Sequence, residues 1–226
     1  MSSLQEKALV LLYGGQESTT CLHWAVSKFG RWSVAAVSFD YGQRHRIELE
    51  CAADIAADAR VNYTSLPIDT FAALGGDALT DAGIEVADEV DAESGLPNTF
   101  VPGRNLVFLT FAAAYAWQRD IGNLVTGVAQ TDYSGYPDCR QETLDSLQQT
   151  LRLGMESDVI IHAPLMHLSK KETVELAAEL GALDAMALTH TCYNGARPPC
   201  GKCPACMLRA KGFAEAGIED PLVRHP

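Results

Sequence analysis

Short apolar runs alternating with segments of helical period constrain this chain more than any other feature. Ala8 to Leu12 is an unbroken apolar run closed by Gly14-Gly15, which predicts a buried strand followed by a tight turn. Cys21, Leu22, Ala25, Val26 and Phe29 then recur at helical spacing, and Gly30 stands where a helix C-cap belongs. A second run, Val34 to Phe39, ends in Asp40-Tyr41-Gly42, and Ile47, Cys51, Ile55 and Ala59 lie four apart, predicting a helix over about 46–59. Tyr63 to Ile68 predicts a third strand, 105–118 a well-buried helix, and the stretch from Leu124 to Val128 a fourth strand. Ser169 and Glu172 have capping-box spacing, with Val174, Leu176, Ala177 and Leu180 carrying a helix to Gly181. A last helix is expected over 207–216, and residues 75–101, rich in Gly, Asp and Glu, read as a long loop. Such alternation specifies βαβ units, hence an α/β, Rossmann-like parallel sheet with helices on both faces. Ligands of such sheets bind beyond the carboxyl ends of the strands.

The chain has 226 residues, 47% hydrophobic and 20% charged, which suits one soluble globular domain with a short appendage. Its longest apolar stretches, 8–12 and 107–117, are far short of the roughly 20 residues that span a bilayer, so no membrane role is expected. The opening residues MSSLQEK place no cationic region before an apolar one, and a cytoplasmic location is expected. With 17 basic against 29 acidic residues and a net charge of -12, no nucleic-acid partner is expected, because phosphate binding needs clustered Lys and Arg.

Seven cysteines, an odd count, argue against a disulfide framework. Cys192, Cys200, Cys203 and Cys206 are separated by seven, two and two residues, a spacing suited to tetrahedral Zn²⁺ in a closed four-thiolate site. An iron–sulfur cluster is the other four-thiolate occupant. With all four positions used, the metal's role would be structural. The expected organisation is thus a nucleotide-binding α/β domain over 1–185, then a zinc-binding segment and C-terminal helix over 186–226. Cys21 and Cys51 fall on apolar helix faces, whereas Cys139 lies in a loop expected to face the site.

The turn after the first strand, Tyr13 to Thr20 (YGGQESTT), has what an anion site needs. Two glycines permit a tight turn, free N–H groups converge at a helix N-terminus, and three hydroxyls can donate. No Gly-Lys-Ser or Gly-Lys-Thr follows, so it is not a Walker loop. The segment resembles the pyrophosphatase-type loop, Ser-Gly-Gly-x-Asp-Ser, of enzymes that split ATP into AMP and pyrophosphate. Further segments follow in order: Phe39 to His45 (FDYGQRH), Phe100 to Leu106 (FVPGRNL), Thr131 to Arg140 (TDYSGYPDCR), Thr191 to Gly195 (TCYNG), Cys200 to Cys206 (CGKCPAC) and Leu208 to Phe213 (LRAKGF). Together, over about residues 8 to 213, they resemble the 7-cyano-7-deazaguanine synthase family, the nitrile-forming enzymes of the queuosine pathway.

That resemblance implies an adenine nucleotide alpha hydrolase-like fold and an ATP-dependent ligase. In such enzymes 7-carboxy-7-deazaguanine is adenylated and trapped by ammonia as the amide, whose oxygen is then activated so that AMP leaves and the nitrile forms. It implies nucleotide binding by Leu12, Tyr13, Gly14, Gly15, Gln16, Glu17, Ser18, Thr19, Thr20, Cys21, Leu22 and Phe39. Gly14, Gly15, Ser18, Thr19 and Thr20 would hold phosphates, and Glu17 would neighbour Mg²⁺. Glu17, Ser18, Arg104 and Lys171 are the catalytic candidates, the two cations as partners for phosphate or substrate carboxylate. Tyr41, Gln43 and Arg104 would contact the substrate, with Asp132, Tyr133 and Asp138 on its guanine-like edge. The resemblance also implies Zn²⁺ on the four cysteines and a homodimer. Two positions depart from the family loop: Tyr13 stands where serine is usual and Glu17 where aspartate is. These departures keep two further readings open, an enzyme joining the deazaguanine carboxylate to a protein amine and a nucleotide-binding relative without turnover. A tRNA-modifying relative would need a basic surface.

Overall fold

The computed structural model describes residues 6–43, 46–75, 77–79, 83–84, 95–130 and 136–223. Five strands, β1 (Ala8–Leu11), β2 (Val34–Asp40), β3 (Asn62–Pro67), β4 (Asn123–Val125) and β5 (Ile160–His162), form one sheet in the order β3-β2-β1-β4-β5. All four pairings are parallel, with Leu9 opposite both Ala35 and Leu124. The helices are α1 (Gln16–Phe29), α2 (Ile47–Asp58), α3 (Thr70–Leu74), α4 (Arg104–Trp117), α5 (Gln141–Met155), α6 (Lys170–Glu179) and α7 (Pro204–Ala216).

The unbroken apolar character of β1 follows from burial on both faces. Leu9 and Leu11 join Phe108, Leu109 and Ala112 of α4 and Leu144 and Leu151 of α5 in one core. Ala8, Val10 and Leu12 join Cys21, Leu22 and Ala25 of α1 and Cys51, Ala52 and Ile55 of α2 in the other. Period-two alternation thus sends successive side chains of one strand into opposite layers. Each fully buried leucine removes enough surface from water to contribute roughly 2 kcal/mol. The strand order reverses between β1 and β4, and there the site is expected.

The expected elements match observed ones, with ends shifted by a few residues. Gly30 closes α1 with φ +80°. The capping box of α6 is formed: the Glu172 N–H donates to the Ser169 hydroxyl and the Glu172 carboxylate accepts from the Ser169 N–H. α7 begins at Pro204, before the expected 207, because proline at the first position suits a helix start. Three elements, α3, α5 and β5, have no counterpart in the sequence reading. The final layer joins α6 to α7 through Val174, Ala177 and Phe213, so the C-terminal helix rests on the α/β body.

Candidate active site

A cavity of about 320 Å³ lies beyond the carboxyl ends of the central strands. Tyr13 and Gly15 reach it from the turn after β1, Tyr41 and Gln43 from β2, and Thr126, Gly127 and Val128 from β4. Arg104, Asn105 and Phe108 of α4, Glu48 of α2 and Lys170 of α6 close the sides, and His190, Thr191, Tyr193 and Arg209 add a wall from the cysteine segment.

The glycine turn is shaped by two close approaches. Gly14 has φ +73°, and a Cβ there would collide with the Glu48 carbonyl oxygen and come within 2.9 Å of Cys51 Cβ. A Cβ on Gly127 would stand 3.0 Å from the Ser18 nitrogen, so the exit of β4 presses against the first turn of α1. The N-terminus of α1 carries no side-chain cap, leaving first-turn N–H groups to face the cavity with their partial positive charge. Ser18 braces the turn, accepting from the Tyr13 N–H at 3.1 Å and donating to the Gly15 carbonyl at 3.2 Å. Gln16 is almost wholly buried on the cavity wall, and its Nε2 has no hydrogen-bond partner among the described residues.

The threonine hydroxyls are turned into the helix. Thr19 and Thr20 are fully buried, and their hydroxyls donate to the Gly15 and Gln16 carbonyls at 2.8 and 3.0 Å. Such bonds to the preceding helical turn leave neither hydroxyl to a ligand. Leu12, Cys21 and Leu22, expected in the nucleotide segment, are likewise core residues, and the Cys21 thiol donates to the Thr126 carbonyl. Phe39 is also behind the wall, stacked on Phe108 with centroids 4.8 Å apart. Phe108 is the hub of this aromatic group, with Tyr13 at 5.8 Å, Tyr41 at 5.2 Å and Phe71 at 5.7 Å. The large ring at position 13 is accommodated by that stack, and burial pushes its hydroxyl well above the usual tyrosine range.

The two lysines that open α6 diverge. Lys170 Nζ lies 2.6 Å from the Glu17 carboxylate and faces the cavity, whereas Lys171 pairs with Glu175 at 3.5 Å on the open side of α6. The roughly 100° turn between successive helical residues separates the two, and the capping box at Ser169 decides which one points inward. Burial alone would raise the Glu17 pKa, but the charge and hydrogen bond of Lys170 outweigh it and hold the carboxyl below its ordinary range. The longer glutamate side chain at position 17 is what meets α6.

Arg104 opens α4 after Gly103, with its guanidinium 5.9 Å from the Tyr41 ring centroid and Nη1 3.5 Å from the Tyr41 hydroxyl. Burial raises the Tyr41 hydroxyl to about 12 despite that cation. Gln43 lines the cavity, but its amide is spent on the turn after β2, accepting from the Tyr41 N–H and donating to the Phe39 carbonyl. Asp138 is buried outside the lining and accepts from the Asn105 N–H at 3.1 Å. It therefore caps α4 in this structure, set back from the cavity on whose ligand edge it was expected. Cys139 does line the cavity, its sulfur accepting from Asn105 Nδ2 at 3.2 Å. Asp132 and Tyr133 lie outside the described residues.

The sulfur atoms of Cys192, Cys200, Cys203 and Cys206 all lie within 4.8 Å of one another, with Cys200 and Cys206 4.0 Å apart. Tetrahedral ligands at zinc–sulfur distances sit about 3.8 Å apart, so the cluster fits a four-thiolate metal. The backbone N–H groups of Lys202 and Cys203 donate to Cys200 and draw its thiol down to about 6. The cysteine segment touches the glycine turn directly: the His190 N–H donates to the Gly14 carbonyl at 2.8 Å. Arg209, 4% exposed, ties the same segment to the body through both Asp220 oxygens, the Thr189 and Thr191 hydroxyls and the Met186 carbonyl.

The family model described as "Queuosine biosynthesis protein QueC" matches residues 7–217. The chain belongs to the QueC family. Family members named 7-cyano-7-deazaguanine synthase include one from Chromobacterium violaceum, 67% identical over 218 residues that cover 96% of this chain and 93% of the relative. Another, from Laribacter hongkongensis, is 64% identical over 99% of this chain and 97% of its own. The synthase of Clostridium acetobutylicum is 50% identical over 93% and 95% respectively. QueC membership therefore spans the glycine turn, Arg104, Lys170 and the four cysteines alike. Sequence reasoning weighed Lys170 beside Lys171 at the start of α6, and the capping box, which fixes the phase of that helix, tells them apart. It missed Glu48, Phe108, His190 and Arg209 as cavity residues.

Proposed function

We propose that this chain makes 7-cyano-7-deazaguanine from 7-carboxy-7-deazaguanine, ammonia and ATP, releasing AMP and pyrophosphate. The observation that carries the reading is one cavity in which an uncapped helix N-terminus, Lys170 and Arg104 offer positive charge from three sides. A carboxylate oxygen is a poor leaving group, and adenylation converts it into AMP. The first-turn N–H groups of α1, that of Ser18 among them, and Lys170 suit the phosphates. Arg104 suits a carboxylate, for which its planar fork has two donors. Glu17 would hold Mg²⁺, which would supply charge neutralisation on the phosphates. Zn²⁺ on the four cysteines would supply folding energy alone, since no ligand position stays open. As family resemblance implies, we expect a cytoplasmic homodimer acting on a free deazapurine rather than on nucleic acid. Incubation with the three substrates, followed by mass spectrometry and nucleotide chromatography, tests the reading. Nitrile with AMP and pyrophosphate is expected; ADP as the main nucleotide product would overturn it.

A further inference from the structure

Glu48 lines the same cavity. It lies in the first turn of α2, where the close approach to Gly14 pins its backbone, and its half-buried side chain lines the cavity with Tyr41 and Arg104. Its carboxylate has no hydrogen bond or ion pair among the described residues, unlike the other acids of the site. Glu17 is held by Lys170, and Asp138 is turned into the α4 cap. His190, the histidine on the wall, directs Nε2 at the Cys192 carbonyl.

We infer that Glu48 is the proton acceptor for the nitrogen steps, an assignment that rests on the synthase reading above. When ammonia adds to the adenylated carboxyl carbon, a C–N bond forms, the C–O bond to AMP breaks, and nitrogen must shed one proton. When the amide oxygen is adenylated, one of the two remaining protons leaves nitrogen to give the O-adenylated imidate, and the last leaves as the second AMP departs and the triple bond forms. All three protons leave nitrogen on the same carbon, so one carboxylate serves both rounds and returns each proton to solvent in turn. Geometry leaves Glu48 open to that task, and electrostatics suit it: burial lifts its pKa to about 7 although Arg104 pulls the other way. A base poised there accepts a proton near neutral pH without being permanently protonated. The groups facing it are Arg104 from α4, Tyr41 from the end of β2 and Cys51 on its own helix. Arg104 stays charged, and burial raises Tyr41 and Cys51 above their ordinary values. None of these three therefore titrates near pH 7 alongside it.

The test compares wild type, Glu48→Gln and Glu48→Asp by two assays on the whole enzyme. ATP–pyrophosphate exchange driven by 7-carboxy-7-deazaguanine reads adenylation, and single-turnover amide formation at saturating ammonia reads the nitrogen step. Glutamine should lower the amide rate relative to exchange by about a hundredfold or more and abolish the rise of that rate with pH. Aspartate should restore part of both. Equal losses in the two assays, or an unchanged pH profile in Glu48→Gln, overturn the assignment. Wild type lacking exchange with this substrate would instead defeat the synthase reading itself, so the two failures are distinct. A thermal melt confirms that each variant is folded.

Discussion

Replacing Lys170 by methionine tests the link between the phosphate turn and α6, because it removes the cation and keeps the side-chain volume. Glu17 and Lys170 are 30% and 22% exposed along their side chains, so the pair lies between the surface limit of about 0–1 kcal/mol and the 3–5 kcal/mol for breaking a fully buried pair. About 2 kcal/mol is expected at pH 8, or a Tm lower by about 4–8 °C for a chain of this size. The sign with pH follows from Glu17. In the wild type its carboxyl is held below its ordinary value, so the pair stabilises the fold above the unfolded pKa and this contribution fades as pH falls through the folded one. In the variant burial acts alone and raises the pKa, so the penalty grows with pH. The deficit should therefore be largest at pH 8 and shrink by pH 5, where Glu17 becomes protonated in the variant. Denaturant unfolding at both pH values, with Glu17→Gln and the double variant completing the cycle, measures it. A deficit independent of pH, or a coupling below about 0.5 kcal/mol, would refute the argument.

Other outcomes follow from the same geometry. Purified protein should carry one zinc per chain by elemental analysis, and Cys203→Ser should lose it and destabilise the C-terminal segment by several kcal/mol; iron in its place would discard the zinc assignment. Glu48→Gln should stabilise the fold by about 1–2 kcal/mol at pH 8 and by little at pH 5, because a raised folded pKa makes the wild type lose stability as pH climbs from about 4.5 to about 7. Gly127→Ala should cost about 1–2 kcal/mol in unfolding experiments and weaken ATP binding, since its methyl group would press on the Ser18 backbone. A melting point and affinity equal to wild type would show that the turn yields without cost.

Much of the architecture was legible because β1, β2 and their helices state their period plainly. α5 was not, since only Leu144 and Leu151 of its fifteen residues are buried, too narrow a stripe to stand out from a polar segment. β5 is three residues long with none fully buried, which leaves no apolar run to find. At the site, the motifs located the turn, Arg104 and the cysteines, but composition could not say where a side chain's hydrogen bonds go. Thr19 and Thr20 satisfy themselves within α1, and Asp138 serves α4; both outcomes depend on three-dimensional neighbours. Lys170 and Lys171 are chemically alike, and only helix phase separates them.

The bond from the His190 N–H to the Gly14 carbonyl has a bearing on biosynthesis. It joins the first crossover of the sheet to a segment that leaves the ribosome long after it. Until that segment emerges, the turn lacks one of its supports and the cavity one of its walls, whatever the state of β1 and α1. A nascent chain can therefore assemble its sheet early yet present no finished cavity until the cysteine segment docks against the turn.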